Sequence, residues 1–360
     1  MDAYEKLREV LHKNPIGAPK SDAFDEILRV LFTPEEAHLA LGMAFVPRNV
    51  RRIATAAGVS EERAAELCES MAEKGIVFSR EQNGELGYAL VPTMPGLFEF
   101  PFMTGGGGPQ HGRLAELWGQ YHHEAFGHEF GGSDTPVIRV IPIEQTVDAR
   151  SEVLPYEIVS KMFDSVETFG LAHCACRVTV AACDRPRETC LMFDNTARFL
   201  IDRGFAREIT KEEAEQTLRE AEEAGLVHTC NNSQDRLTVI CNCCPCCCAV
   251  LRGLTELQNP NAFARSRWHA SVDPASCTGC GTCRDERCPV AAVALIDEIA
   301  TVHEAQCIGC GLCVSTCPEQ AISMVPRKQP STPPATVTEM GMRVLTEKGR
   351  LEEYVNLNKG

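Results

Sequence analysis

Residues 240–251 read ICNCCPCCCAVL, so Cys241, Cys243, Cys244, Cys246, Cys247 and Cys248 put six thiols into eight consecutive positions. Three chemistries compete for so much sulfur: a disulfide staple, a storage or sensing patch for soft metals, and a ligand bed for an iron–sulfur cluster. Adjacent cysteines make poor disulfides, because the cross-link needs a Cα separation and a dihedral that neighbours meet only with strain. A chain of 360 residues also has room for two or three cored domains and needs no covalent staple. Its first residues, MDAYEKLREVLHKN, are charged and lack the apolar centre of a signal peptide. No apolar run approaches the ~18 residues of a membrane span. These features predict a cytoplasmic, reducing setting without membrane insertion, where dense cysteine means metal or redox chemistry.

Towards the C-terminus, Cys277-x2-Cys280-x2-Cys283-x4-Cys288-Pro289 is followed thirty residues on by Cys307-x2-Cys310-x2-Cys313-x3-Cys317-Pro318. A loop with a cysteine at every third residue wraps three thiolates around one face of a cube and takes the fourth from elsewhere. Paired Cys-x2-Cys units also build zinc ribbons, but two triple runs, each closed by Cys-Pro, argue against zinc. The unit, residues 271–326, resembles the bacterial-type ferredoxin with two 4Fe–4S clusters, and all eight ligand positions are present. The resemblance implies that Cys277, Cys280, Cys283 and Cys317 hold one cluster, and Cys307, Cys310, Cys313 and Cys288 the other. One departure is visible, the four residues before Cys288 where the usual pattern has three, and it bears on the hydrogen bonding around the cluster that Cys288 serves.

The same arithmetic applies further upstream. Cys174, Cys176, Cys183 and Cys190 form Cys-x-Cys-x6-Cys-x6-Cys, with Arg177, Arg185 and Arg187 close by to offset thiolate charge. Four thiols suffice for one more cube, and this set is the first choice for it. In the crowded run, Cys241, Cys244 and Cys247 repeat the spacing of three, while Cys243 and Cys246 interlace with them. If AVLRGLTEL continues a helix from about Cys246, then Cys244, Cys247 and Cys248 share its first turn and gain from the positive end of its dipole. Cysteines this clustered are oxidation-prone without a metal, which weighs against a group of merely buried thiols. The expected cofactors are therefore two 4Fe–4S clusters near the C-terminus and one or two further iron–sulfur clusters in the centre.

The elements that must position these residues read as an α+β multidomain chain. Residues 33–91 have the pattern of a winged helix-turn-helix. Thr33-Pro34-Glu35-Glu36 opens one helix, a second ends at Gly58, and Ser60 caps a third that ends at Gly75. Two alternating runs flank Asn83-Gly84, a hairpin signal. The third helix, EERAAELCESMAEK, presents Glu61, Glu62, Glu66, Glu69 and Glu73 against only Arg63 and Lys74, which would repel the phosphates that supply most DNA affinity. The domain reading is an N-terminal helix plus winged-helix-like module over 1–93, a connector over 94–136 and a cysteine-rich α/β domain over 137–260. A ferredoxin domain over 261–328 and a linker with a short helical tail over 329–360 complete it.

Within the connector, Gly105-Gly106-Gly107-Gly108 lacks the Lys-Ser/Thr of a P-loop and reads as a flexible loop. HHEAFGH places His123 and His128 five apart, where the zinc-protease motif needs four, so these histidines are expected to face solvent. In the central domain a strand is expected over 137–141, a helix over 156–169 and a capped helix from Thr210 to Gly225.

As a whole the chain resembles functionally unassigned ferredoxin-domain iron–sulfur proteins of anaerobes with a winged-helix-like start. The expected function is an electron-transfer protein, or an oxidoreductase component, passing low-potential electrons between the ferredoxin domain and the central clusters. No nucleophile–base constellation and no dinucleotide fingerprint stands in the sequence. A reductase would need an open iron site in the centre, with Arg177, His173 or His228 as candidate substrate contacts. The rival readings are a redox-sensing transcriptional regulator and a metal or cluster carrier. Fifty acidic against thirty-five basic residues, a net charge of −15, point to a redox partner protein with a basic patch, or a second copy of the chain, rather than to nucleic acid.

Overall fold

The computed structural model describes residues 1–82, 84–107, 110–147 and 154–359. Asn83 of the expected turn and Gly108 of the glycine run lie outside the described residues.

The first part of the chain is organised by local caps. Thr33 and Glu36 exchange the two bonds of a capping box at the helix Pro34–Ala40. Asn49 caps the helix Val50–Ala57, which closes on Gly58 at φ 71°, and Ser60 caps Glu61–Glu73. Strands β1 (Arg48–Asn49), β2 (Val77–Gln82) and β3 (Glu85–Leu90) form an antiparallel sheet in the order β1-β3-β2. The helix Glu61–Glu73 buries Ala64, Leu67, Cys68 and Met71 and turns Glu61, Glu62, Glu66 and Glu73 outward. Its Glu69 is held by Arg203 of the central domain, with Nη2 3.1 Å from Oε2. Phe78 of β2 packs on Phe199 with ring centroids 4.7 Å apart.

Residues 110–136 contribute a packed helix. The helix His111–Tyr121 repeats apolar residues on one face, and its buried Leu114, Leu117, Trp118 and Tyr121 pack towards the helix Asp22–Leu31. The rings of Phe24 and Tyr121 stack at 4.7 Å, and Trp118 sits 5.1 Å from Phe98. His123 and His128 face solvent, the first with its Nε2 3.0 Å from Arg252 Nη2.

Among the described residues, six strands between 138 and 243 form one antiparallel sheet. Its strands are β4 (Ile138–Val140), β5 (Phe169–His173), β6 (Glu188–Phe193), β7 (Arg207–Ile209), β8 (Val227–Asn231) and β9 (Val239–Cys243), in the order β4-β8-β9-β6-β5-β7. The helix Lys211–Glu223 opens on the Thr210 cap, and Gly225 follows at φ 73°. The helix expected over 156–169 is only Val159–Phe163. Asp194 accepts the backbone N–H groups of Glu167 and Thr168, and Phe169 pairs with Phe193 and Ile209, so strand pairing claims the end of that segment.

The last region pairs β10 (Trp268–Val272) with β13 (Ile322–Pro326), and β11 (Val293–Ile296) with β12 (Ile299–Val302). Two helices then fold back onto the N-terminal unit. Asn358 accepts from the backbone of Phe45 and Val46 at 3.0 and 3.1 Å. Ahead of it, buried Glu129 receives Lys348 at 2.8 Å, both arms of Arg350 and the backbone of Gly17. No helix among the described residues is long and apolar enough to cross a membrane.

Candidate metal centres

Each half of the C-terminal region bends its cysteine loop with glycines in the left-handed region. Gly279 and Gly309 take φ of 67° and 74°. A Cβ on Gly279 would stand 2.2 Å from the Glu298 carbonyl oxygen, and one on Gly309 2.1 Å from that of Trp268, so both loops need glycine for close approach as well as for φ. The extra residue before Cys288 is absorbed as a π-type turn, Cys283–Arg287, where the other half has the short α-turn Leu312–Ser315. One residue inserted in a helical turn is what a π-bulge accommodates.

The eight thiols line two separate hollows. Cys277, Cys280, Cys283 and Cys317 border one, and Cys288, Cys307, Cys310 and Cys313 border the other. Two mostly apolar hollows with four thiols each have the ligand count of two cubes, and the fourth thiol of each comes from the other half. Backbone N–H groups already point at sulfur: Ala300 at Cys277 (3.4 Å), Ala292 at Cys288 (3.1 Å) and Ala321 at Cys317 (3.3 Å). Such bonds favour thiolate over thiol and set cluster potential. The two hollows differ in exposure. Cys280 is exposed, whereas Cys307, Cys310 and Cys313 are buried and the Cys310 carbonyl accepts from Ile143, just beyond β4.

In the central domain the thiols fall into groupings that cross the two sequence sets. Cys183 meets Cys244, Cys246 and Cys247, with all four sulfur atoms within 4.8 Å of one another. Cys183 lies 3.9 Å from both Cys244 and Cys247, and Cys247 lies 3.9 Å from Cys246. Of the other seven, all but the buried Cys230 make a chain of thiol–thiol contacts, Cys174 to Cys176, Cys176 to Cys248, Cys248 to Cys243, Cys243 to Cys241, and Cys241 to Cys190, with Cys190, Cys243 and Cys248 buried and the rest part-buried. Cys174, Cys176 and Cys190 thus stand with Cys241, and Cys183 stands apart from them with Cys244 and Cys247. The reason is the local structure of residues 239–255. They are a strand, then a turn, then a helix that begins at Ala249, so the run Cys241, Cys244, Cys247 is not realised as one surface. Cys241 and Cys243 share one face of β9, while Cys244, Cys246 and Cys247 lie in the turn after it. The helix start expected at Cys246 falls three residues later. Cys248 alone caps it, its sulfur accepting from Leu251 at 3.5 Å.

As bare thiols these groups are unlike ordinary cysteines. Cys174, Cys241 and Cys243 are pushed far up, first because each shares a hydrogen bond with a neighbouring thiol and then because each is buried. Cys183 goes the other way: desolvation opposes its ionisation, but the Arg185 backbone and its three thiol neighbours bring it down to about 7.

Arg177 lies between the groups and is fully buried. It donates to the Asn242 carbonyl at 2.7 Å, to Thr189 Oγ1, and to Cys244 sulfur at 3.9 Å. Desolvation lowers its pKa, yet the Cys174, Cys244 and Cys243 sulfurs beside it push it above its ordinary value. No carboxylate among the described residues lies within ion-pair reach of it, although a buried guanidinium without a counter-charge is strongly disfavoured. Thiolates are the anions in position. Burial also bars Arg177 and His228 from touching a substrate in solvent. His228 instead pairs with Asn242 at 2.6 Å, and desolvation holds its pKa down.

The end of the helix Lys211–Glu223 joins the two cysteine-rich regions. Arg287, next to Cys288, donates to the Glu222 and Glu223 carbonyls at 2.8 and 3.0 Å. Arg185, two residues past Cys183, donates to the Ala224 carbonyl at 3.0 Å and reaches Cys246 sulfur at 3.6 Å. Two cations at one helix C-terminus satisfy carbonyls that have no partner inside the helix. The sequence reading did not single out Arg287, nor Cys243, Cys246 and Cys248 as ligand candidates. Only their crowding marked those cysteines.

A family model described as a 4Fe–4S dicluster domain matches residues 269–318, and a second with the same description matches 306–349. Together they span 269–349 of the 360 residues, and no cysteine follows Cys317, so the second match adds no ligand beyond the eight. The C-terminal region is thus of the iron–sulfur, ferredoxin-like, metal-binding kind. No curated protein and no solved structure matches the chain.

Proposed function

We infer that the protein is an electron carrier in which the C-terminal ferredoxin-like region exchanges electrons with a further iron–sulfur centre held by Cys174, Cys176, Cys190, Cys241, Cys243 and Cys248. Bound clusters supply low-potential one-electron chemistry. The observation that carries the reading is the gathering of six free thiols, three of them buried and three part-buried, from several segments into one array beside a buried arginine that has no carboxylate partner among the described residues. The position of the array supports it too. The Cys310 carbonyl is tied to the segment after β4, and β4 lies two strand spacings, about 10 Å, from the β9 that carries Cys241 and Cys243. The exposed edge at Cys280 is where a redox partner with a basic patch would approach this acidic chain.

The N-terminal module is read as a winged-helix-type docking element. Its acidic helix and β2 already lean on the central domain through Glu69–Arg203 and Phe78–Phe199, which leaves DNA poorly served.

Stepwise anaerobic reduction followed by electron paramagnetic resonance tests the electron-transfer reading. The native chain is expected to show a signal in addition to those of the ferredoxin-like pair. The double variant Cys241→Ser, Cys243→Ser should lose that signal and keep the pair. Identical spectra from native and variant protein would remove the central centre from the account.

A further inference from the structure

We propose that Cys183, Cys244, Cys246 and Cys247 bind one tetrahedral metal ion, zinc or iron(II), with no inorganic sulfide, as a site separate from every iron–sulfur cluster of the chain. The proposal stands on sulfur spacing and does not rest on the electron-transfer reading. Four thiolates around one ion with metal–sulfur bonds of about 2.3 Å form a tetrahedron whose edges are about 3.8 Å. The three edges measured here, Cys183–Cys244, Cys183–Cys247 and Cys246–Cys247, are each 3.9 Å. In a cube each thiolate sits on a different iron, so the four sulfurs are spread apart by the metal–metal edges as well as by the metal–sulfur bonds.

The chain supplies its own control. Among the described residues, which include all eight cysteines of the dicluster region, this tetrad is the one group of three or more candidate ligands drawn within 4.8 Å. No three of the thiols that line the cluster hollows, and no three of the six in the other array, come within that distance of one another. A sulfur-only tetrahedron selects zinc or iron over harder cations.

Charge gives a second, independent observation. Four thiolates and one divalent ion leave two negative charges, and two guanidinium groups lie against the tetrad, Arg177 at Cys244 and Arg185 at Cys246. Arg177 is fully buried with its Nε unpaired, so a set of neutral thiols would leave its charge uncompensated. A loaded tetrad compensates both cations.

Such a site would act as a pin. It ties the loop at Cys183 to the turn at 244–247, sequence neighbours of neither kind, and Arg185 carries that fixation to the helix end on which Arg287 also rests. A closed four-sulfur site leaves no position for substrate, which fits a structural role.

The test uses the full chain, purified without oxygen, with zinc, iron and acid-labile sulfide measured per chain. Cys183→Ser and Cys246→Ser, both at partly exposed positions, are each expected to lose about one metal equivalent with no loss of sulfide and with the resonance signals of the reduced clusters intact. X-ray absorption of the native chain supports the proposal independently of any variant if a zinc or iron component shows four sulfur neighbours and no short iron–iron distance. Loss of about four irons together with about four sulfides from either variant overturns it in favour of a cube. Unchanged metal content in both variants overturns it in favour of bare thiols.

Discussion

Replacing Cys317 by alanine is expected to strip the cluster of Cys277, Cys280 and Cys283 and to leave the one beside which Cys317 lies in sequence. Cys317 lines the hollow of the Cys277 loop, and the hollow of Cys307, Cys310 and Cys313 is completed by Cys288. A cube that loses one of four protein ligands in an exposed setting is labile, and Cys280 is the exposed member of the dicluster set. Iron and sulfide should each fall by about four per chain, and the reduced protein should show one isolated cluster in place of an interacting pair. The reciprocal change, Cys288→Ala, should remove the other cluster. Loss of the Cys307 set on replacing Cys317 would show that the halves do not exchange ligands.

The second large effect concerns stability. Glu129→Ala is expected to cost about 3–5 kcal/mol, because it leaves Lys348 buried without its counter-charge and releases the closing helices. Lys348 is 5 % exposed and donates to Glu129 and to the Pro15 carbonyl, while Arg350 brackets the same carboxylate. Desolvation raises the Glu129 pKa, but Arg350 and Lys348 outweigh it and hold it below the usual carboxylate range. A depressed carboxylate contributes stability that is present above its unfolded value and lost as pH falls through the folded one. Denaturant unfolding of the native chain should therefore weaken below about pH 4.5, and the variant should show less of this acid dependence. An unfolding midpoint unchanged by the substitution would mean that the buried cluster of charges contributes nothing to closing the chain.

What was legible in the sequence is what is local. Thr33, Ser60 and Thr210 cap their helices through bonds to residues three ahead, so a short window contains both partners. The dicluster spacing is legible for the same reason, since three ligands of each cube share one loop. The central site is not local. Cys183 and Cys244 are 61 residues apart, and only the packing of the loop after β5 against the turn after β9 brings them together. Counting by threes also assumed one kind of backbone through 241–248, where strand, turn and helix cap follow one another. The helix His111–Tyr121 did carry a readable signal, the apolar spacing of Leu114, Leu117, Trp118 and Tyr121, which the neighbouring glycines and histidines drew attention away from. The segment 156–169 shows the opposite failure: an apolar pattern suited to a helix is overridden where Phe169 finds strand partners on both sides.

The central claim is that the chain holds an iron–sulfur centre beyond the ferredoxin-like pair. Iron and acid-labile sulfide determined on the same anaerobic preparation of the full chain test it most directly. The account predicts about twelve irons or more with nearly matching sulfide, where the eight dicluster thiols alone would hold about eight of each. A full chain that carries about eight irons and eight sulfides, with the central thiols free to react with an alkylating reagent under native conditions, would contradict it.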